Sequence, residues 1–358
     1  MAERFVKKRL GSSPLRTTYL IIKNYMIKYG FIDKIQESDW RMGVNSNLNK
    51  KPINKTGNLT EFIPKWETQC GVYGDTMACV NFSGNDCLET IMSASLRDYQ
   101  ILDKYKDDEG FYNISDRKSA KSSGTTRKGN WFTKVAEDTR LNGFVPEASW
   151  NFPSKQRTPV FGWDDYYIDY PESVEAEGKE ILNYFEITYE LVTINHVDVR
   201  EQLKYGPLQI SYNTSSPVVE GIYQNATVFH SPNHAVMLYN ITDDGIFEVL
   251  DHYERDGKGH IKFAADFQFG YWALQYFINP KEKKVMELKE GYLYQLVEGV
   301  IGGFAVAIDG KLYIDDLAKI LATWEIKNNG NTKGKTETMT KAQWNSFEHL
   351  NLKHEKVD

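Results

Sequence analysis

Cysteine is scarce: three residues in a chain of 358. That excludes a disulfide-stapled scaffold and fits a reducing compartment, or a particle assembled in one. None of the three stands at metal-ligand spacing from another cysteine or from any of the seven scattered histidines, so no metal and no other cofactor is expected. A phosphate-cradling glycine loop and an internal repeat are also missing. Positive charge is not in excess. Lys and Arg number 43 against 49 Asp and Glu, a net charge of −6, which argues against a nucleic-acid partner. No run of eighteen apolar residues occurs, so no membrane span is expected. The longest N-terminal apolar stretch, TYLIIKNYMI, is interrupted by Lys23 and Asn24 and lacks a small-residue cleavage site. It reads as an amphipathic helix, not as a signal peptide.

What is present suffices for a full core and more than one domain: 41% of residues are hydrophobic and 13% aromatic. Two segments stand out, QCGVYGDTMACVNFS at 69–83 and NHAVMLYN at 233–240. Cys79 opens a helix-like run bearing Phe82, Cys87, Leu88, Ile91 and Met92. A helix N-terminus stabilises negative charge and turns a thiol there into a nucleophile. His234 begins an alternating, strand-like segment that can hold an imidazole rigidly against such a thiol. A second strand, IFEVL, ends at Asp251, whose carboxylate can accept the imidazole N–H and fix its tautomer. Taken singly, each has a blander reading. Cys87 reads as a small buried hydrophobe, Asp251 could cap a strand end, His252 beside it reads as a surface residue, and His230 is set aside because it precedes Ser231-Pro232 in a loop-like stretch. Asn81, in an Asn-x-Ser sequon, falls inside the Cys79 helix and could hardly carry a glycan.

The order Cys, His, polar orienter resembles the papain-like cysteine peptidases. Around the nucleophile the family has a Gln, a Gly-containing loop, then Cys, and later Phe and Ser; here these correspond to Gln69, Gly71, Gly74, Cys79, Phe82 and Ser83. EQLKYGPLQISY running into GIYQNATVFHSPNHAVML resembles the family's approach to its His. Asp251, His252 and Tyr253 stand where the family has Asn-Ser-Trp, and GYWALQYFI resembles its closing strand. KGNWFTKVAEDTRLNGFVPEASWNFP resembles the passage between the halves. The resemblance implies an α+β papain-like fold over 55–280, with a helical half, an antiparallel β half and a cleft between them. It further implies a cysteine-type endopeptidase with Cys79 as nucleophile, His234 as acid and base, Asp251 as orienter and Gln69 as oxyanion donor, acting on a peptide or protein substrate near Gly129 and Tyr253. Three departures accompany it. Gln69 precedes Cys79 by ten positions where the family has about six, so an insertion is expected. Val80 replaces a Trp, and Asp251 an Asn, which implies a less aromatic cleft and a more buried ion pair. The disulfides of secretory members are missing.

Residues 1–54 read as an N-terminal extension ending in an extended or mobile polar loop, NSNLNKKPINKTGN. The Glu-rich stretch at 172–180 reads as a solvated face or linker. Residues 281–358 read as a small α+β module. GFAVAI and KLYI flank an Asp309-Gly310 turn, a hairpin signal. LAKILATWEI and KAQWNSFEHL follow as helices, the second capped by Thr340, with a polar loop through KNNGNTKGKTET between them. This module is expected to engage a virion or homo-oligomer partner, because the Asn-, Lys-, Ile- and Tyr-rich composition resembles divergent papain-like proteins of tailed phages. The expected location is cytoplasmic or virion-associated. Two other readings remain: a scaffold virion protein keeping the fold without activity, and a cell-wall peptidase or amidase.

Overall fold

The structure, a computed structural model, describes residues 51–71, 74–151, 163–227, 231–253 and 259–281, together with Asp39, Arg41, Met42, Leu48 and Lys50 and the backbone of five strands beyond residue 292. The chain divides into two compact units, 1–281 and 282–358.

In the first unit a short hairpin, β1 (Cys70–Gly71) and β2 (Gly74–Asp75), precedes helix α1 (Cys79–Ser95). Helices α2 (Asp116–Ser122), α3 (Phe132–Asn142), α4 (Trp163–Tyr166) and α5 (Glu172–Glu180) follow. The chain then turns to strand: β3 (Phe185–Val192), helix α6 (Val199–Leu203), β4 (Leu208–Tyr212), β5 (Val218–Val219), β6 (Ile222–Tyr223), β7 (His234–Ile241), β8 (Phe247–Leu250), β9 (His260–Phe263) and β10 (Ala273–Pro280). These strands form one eight-stranded sheet in the order β3-β10-β4-β7-β8-β9-β6-β5, antiparallel except where β6 meets β9. This is the α+β architecture that the sequence implied, helical first and strand-rich second.

Local chemistry explains the element starts. Ser115 caps α2 by accepting the Lys118 N–H, and Asp198 caps α6 by accepting the Glu201 N–H at 3.1 Å. Helix α1 has no side-chain cap at Ala78, and thirteen successive residues from Val80 to Met92 are buried. It is therefore a central helix, held by packing and not by propensity. Leu88, Ile91 and Met92 share one core with Val236 and Leu238 of β7, Leu208 and Ile210 of β4 and Leu274 of β10. Each such side chain contributes about 1.5–3 kcal/mol on burial, so this seam fixes the helix on the sheet. Gly84 allows the close approach, since a Cβ there would stand 3.1 Å from the Tyr276 hydroxyl.

Several expectations are corrected. The loop read as mobile is tied down at its end: the backbone N–H groups of Thr56 and Gly57 donate to Asn54 Oδ1 at 2.7 and 3.0 Å, and the Ile53 N–H donates to the Lys204 carbonyl at 2.8 Å. Upstream, the Met42 N–H donates to the Leu191 carbonyl at 3.0 Å, and Lys50 pairs with buried Glu190, so these two residues lie against the edge strand β3. The Glu-rich stretch is helix α5 with a largely solvated face, the first of the two readings that its sequence allowed.

The second unit contains a five-stranded sheet, β14-β11-β12-β13-β15. Its strands are β11 (Leu293–Leu296), β12 (Phe304–Ile308), β13 (Lys311–Ile314), β14 (Thr336–Met339) and β15 (His349–Asn351). β12 and β13 pair antiparallel with Ile308 opposite Lys311, as an Asp-Gly hairpin requires. Thr336–Met339, three residues of which read as loop, forms a strand parallel to β11. His349 and Leu350, read as the end of a helix, lie in β15 parallel to β13; edge pairing overrode helical spacing. The amphipathic segment at 18–27, Thr340, LAKILATWEI, and His230 lie outside the described residues.

Candidate active site

The first turn of α1 presents Cys79 half-buried at the wall of a cleft of about 450 Å³. Buried Gln209 on β4 fixes that turn: its Nε2 donates to the Val80 carbonyl at 2.6 Å and to Ser83 Oγ at 2.9 Å. Asn81 is fully buried, donating to Ser119 and Ser123 at 3.0 Å and accepting from Thr125 at 2.7 Å, so its sequon is sealed inside the fold. No side chain caps Ala78, which leaves the positive end of α1 facing the cleft.

Across the cleft, His234 is the first residue of β7, where it pairs with Tyr212 of β4. Its Nε2 meets Asp251 Oδ1 at 2.6 Å, and both side chains are buried. Asp251 immediately follows β8 and is itself held. Tyr212 donates to its Oδ2 at 3.2 Å, the Tyr253 N–H to its Oδ1 at 3.2 Å, and the Trp66 indole N–H to its backbone carbonyl at 2.7 Å. The other imidazole nitrogen, Nδ1, is buried without an oxygen or nitrogen partner. With Nε2 committed to Asp251, Nδ1 is the nitrogen left for the Cys79 thiol, which interacts with the ring. Burial opposes the imidazolium, but hydrogen bonding to Asp251 and to Cys79, together with their negative charges, raises the His234 pKa to about 9. Burial likewise opposes the Asp251 carboxylate, and the His234 hydrogen bond and charge still draw its pKa below the usual value.

The other expected residues line the same cleft. Gln69, Gly129 and Tyr253 are all in its wall, with Val80, Trp131 and Ala235. Gly129 adopts a φ of +80° at the end of a turn closed by paired Thr126 and Gly129 backbone bonds, a conformation that favours glycine. Between Gln69 and Cys79, where the resemblance implied an insertion, the chain forms the β1–β2 hairpin. The hairpin carries a residue that sequence reading missed. Asp75 Oδ1 accepts from Gln69 Nε2 at 2.8 Å and from the Met77 N–H at 2.7 Å, and its Oδ2 accepts from the Tyr253 hydroxyl at 2.7 Å. Tyr253 stacks on His234, ring centroids 4.3 Å apart.

His252 is not the surface residue expected. It is 1% exposed, with Nε2 2.6 Å from Asp86 Oδ2 and Nδ1 2.8 Å from the Glu67 carbonyl. Around it Glu89 and Asp116 are buried and Glu67 partly so, and burial raises the pKa of all three carboxyls. Burial resists the His252 charge too, but Asp86 outweighs it and raises that pKa to about 9. The pair anchors the loop between Asp251 and Tyr253 to α1. Asp86 and Glu89 stand among other polar residues of α1, Asn81, Ser83 and Asn85, which together read as a solvated face, so nothing local signals this pair.

No family model matches the sequence, and no curated protein matches it. Solved structures do. The bromelain protease from Ananas comosus in complex with the E64 inhibitor aligns at 15% identity with a TM-score of 0.38, over 64% of this chain and 99% of that one. Digestive procathepsin L 3 of Tenebrio molitor larval midgut aligns at 11% identity and a TM-score of 0.43, over 76% and 96%. Xylellain, a cysteine protease from Xylella fastidiosa, aligns at 15% identity and a TM-score of 0.43, over 68% and 94%.

None of the three cysteines forms a disulfide, and Cys87 is fully buried, its pKa pushed well up by burial and by the Asp86 and Glu89 charges. Among the described residues no group of His, Cys, Asp and Glu could hold a metal ion, and no helix is long and apolar enough to cross a membrane.

Proposed function

We propose that this chain is a papain-like cysteine peptidase whose chemistry is carried by Cys79, His234 and Asp251. The observation that supports it most is the buried His234–Asp251 contact, which leaves one imidazole nitrogen facing the thiol at the head of α1. Cys79 Sγ, as a thiolate paired with the His234 imidazolium, attacks the carbonyl carbon of a peptide bond. The carbonyl π electrons move onto oxygen, and the resulting oxyanion is met by the Cys79 backbone N–H and Gln69 Nε2. A preorganised donor of this kind is worth about 3 kcal/mol where it has been removed in other enzymes. The imidazolium gives its proton to the leaving nitrogen as the C–N bond breaks, leaving a thioester. Water then attacks the thioester carbon, giving one proton to His234, and the C–S bond breaks to return the thiolate.

Gly129 and Tyr253 border the substrate chain, the first as bare backbone, the second as a wall over His234. Residues 1–54 serve as an extension, 55–280 as the peptidase domain and 281–358 as a module that positions it on a virion or in a homo-oligomer. Phage origin and a cytoplasmic or virion location rest on composition alone. The scaffold and cell-wall readings draw no support from a particular contact. Cys79→Ala should abolish hydrolysis of a fluorogenic peptide library with no large loss of stability. Wild-type protein inert on every peptide, with Cys79→Ala indistinguishable from it, would refute the reading.

A further inference from the structure

We infer that Asp75, on the hairpin inserted between the candidate oxyanion donor and the nucleophile, is a positioning residue that sets the orientation of the Gln69 amide and ties it to the tyrosine covering His234. The inference rests on the peptidase reading above. One carboxylate receives three donors from separate parts of the site: Gln69 Nε2 at 2.8 Å, the Met77 N–H at 2.7 Å and the Tyr253 hydroxyl at 2.7 Å.

A terminal amide has two orientations, nitrogen and oxygen exchanged. Both Asp75 oxygens accept, Oδ1 from Gln69 and Met77 and Oδ2 from Tyr253, so the side chain admits the Gln69 NH2 and turns its oxygen away. The NH2 therefore stands on the Asp75 side, and its second N–H remains for an oxygen in the cleft that Gln69 lines. Gln69 Oε1 is buried with no hydrogen-bond partner. That is a cost with no compensation of its own, and it stays fixed only because Asp75 holds the other end. Without this anchor a longer loop before Cys79 would leave the amide free to turn its oxygen inward, where it would repel a developing oxyanion.

The remaining two contacts extend the device. Met77 has a φ of +59°, a left-handed conformation costly for a residue with a Cβ, and its N–H bond to Asp75 helps hold that turn two residues before the nucleophile. Tyr253 carries the link to the other wall, because its ring stacks on His234 at 4.3 Å. A single side chain thus joins the donor, the turn that aims Cys79 and the cover of the imidazole.

The test compares Asp75→Ala, Asp75→Asn, Tyr253→Phe and Gln69→Ala in the full-length chain. Two readouts are used: kcat and KM on a fluorogenic peptide, and reaction of Cys79 with a leucine-containing peptidyl aldehyde and with iodoacetamide. The aldehyde adduct carries a tetrahedral oxygen that needs the oxyanion donor; alkylation by iodoacetamide does not. Asp75→Ala should lower kcat by about 10- to 100-fold with little change in KM, weaken the aldehyde by a similar factor and leave the iodoacetamide rate within about threefold. Asp75→Asn should recover most of the loss, since its oxygen can still accept from Gln69 and Met77. Adding Gln69→Ala to Asp75→Ala should cost little more than either alone. Active wild type with Asp75→Ala unimpaired, or with both reagents slowed equally, overturns the role of Asp75 and leaves the peptidase reading standing. Wild type with neither hydrolysis nor an aldehyde adduct at Cys79 overturns both.

Discussion

Asp251 is the residue on which the charge state of His234 depends. An imidazole has an ordinary pKa near 6.5, and in this site burial alone would depress it, yet the pKa stands at about 9. At about 1.4 kcal/mol per pKa unit, the net preference for imidazolium is on the order of 3 kcal/mol, supplied by Asp251 and Cys79 together. Asp251→Ala removes one of those contributions and leaves the burial: a return to the ordinary pKa would already cut the imidazolium fraction at pH 7 about fourfold, and burial should carry the loss of the imidazolium–thiolate pair, and of kcat/KM, further. The alkaline limb of the rate profile should move in step. Imidazolium persists below the folded pKa and is lost above it, so wild-type activity should decline as pH rises through about 9, and that decline should begin at markedly lower pH in the alanine variant. The alanine variant also leaves the buried His234 Nε2–H without the Asp251 acceptor, at about 1–3 kcal/mol of stability. Asp251→Asn should stay within about tenfold of wild type, because its oxygen still accepts from Nε2 and the Tyr212 hydroxyl can rotate to accept from its NH2. The assay is kcat/KM against pH on one fluorogenic peptide. Equal rates and an unmoved alkaline limb in all three proteins would refute the assignment.

Two further outcomes are expected. His252, with its pKa raised to about 9 by Asp86, stabilises the fold fully below its ordinary value and loses that contribution as pH rises through about 9; the burial-raised carboxyls of Glu89 and Asp116 act in the same direction. The melting temperature should therefore fall from pH 7 to pH 10, and Asp86→Asn should flatten that slope; an unchanged slope would place the titration elsewhere. A chain ending at Lys281, whose N–H still donates to the Tyr184 carbonyl at 2.9 Å, should unfold cooperatively and keep hydrolysing short peptides, whereas a molten product would mean that residues 282–358 complete the core.

The strands flanking the site were legible as short runs rich in apolar residues, and β7, buried from His234 to Asn240, is covered on both faces. NHAVMLYN became β7, IFEVL ended one residue before Asp251 as β8, and the Asp-Gly signal between GFAVAI and KLYI foretold the antiparallel pairing of β12 with β13. Helix α1 was legible as a helix but not as a central one. Its polar residues Asn81, Ser83, Asn85, Asp86 and Glu89 look like a solvated face, and only three-dimensional partners turn them inward: Ser119 and Ser123 for Asn81, Asp116 for Asn85, His252 for Asp86. Asp75 was hidden for a related reason. An Asp between Gly74 and Thr76 reads as ordinary turn chemistry, and nothing local shows that Gln69, Met77 and Tyr253 converge on it. In the second unit, parallel pairing by β14 and β15 depends on partners far away in sequence, which helical spacing over 341–350 could not foretell.

The central claim, that His234 keeps Cys79 reactive in a cleft where the other cysteines are not, is tested most directly by alkylating the native full-length protein with iodoacetamide at pH 5 to 8 and locating the adducts by peptide mass spectrometry. Cys79 should be modified fastest, with a rate that persists at mildly acidic pH and collapses there in His234→Ala, while Cys87, fully buried within α1, stays unmodified. Comparable labelling of all three cysteines, or a Cys79 rate that is the same with and without His234, would contradict it.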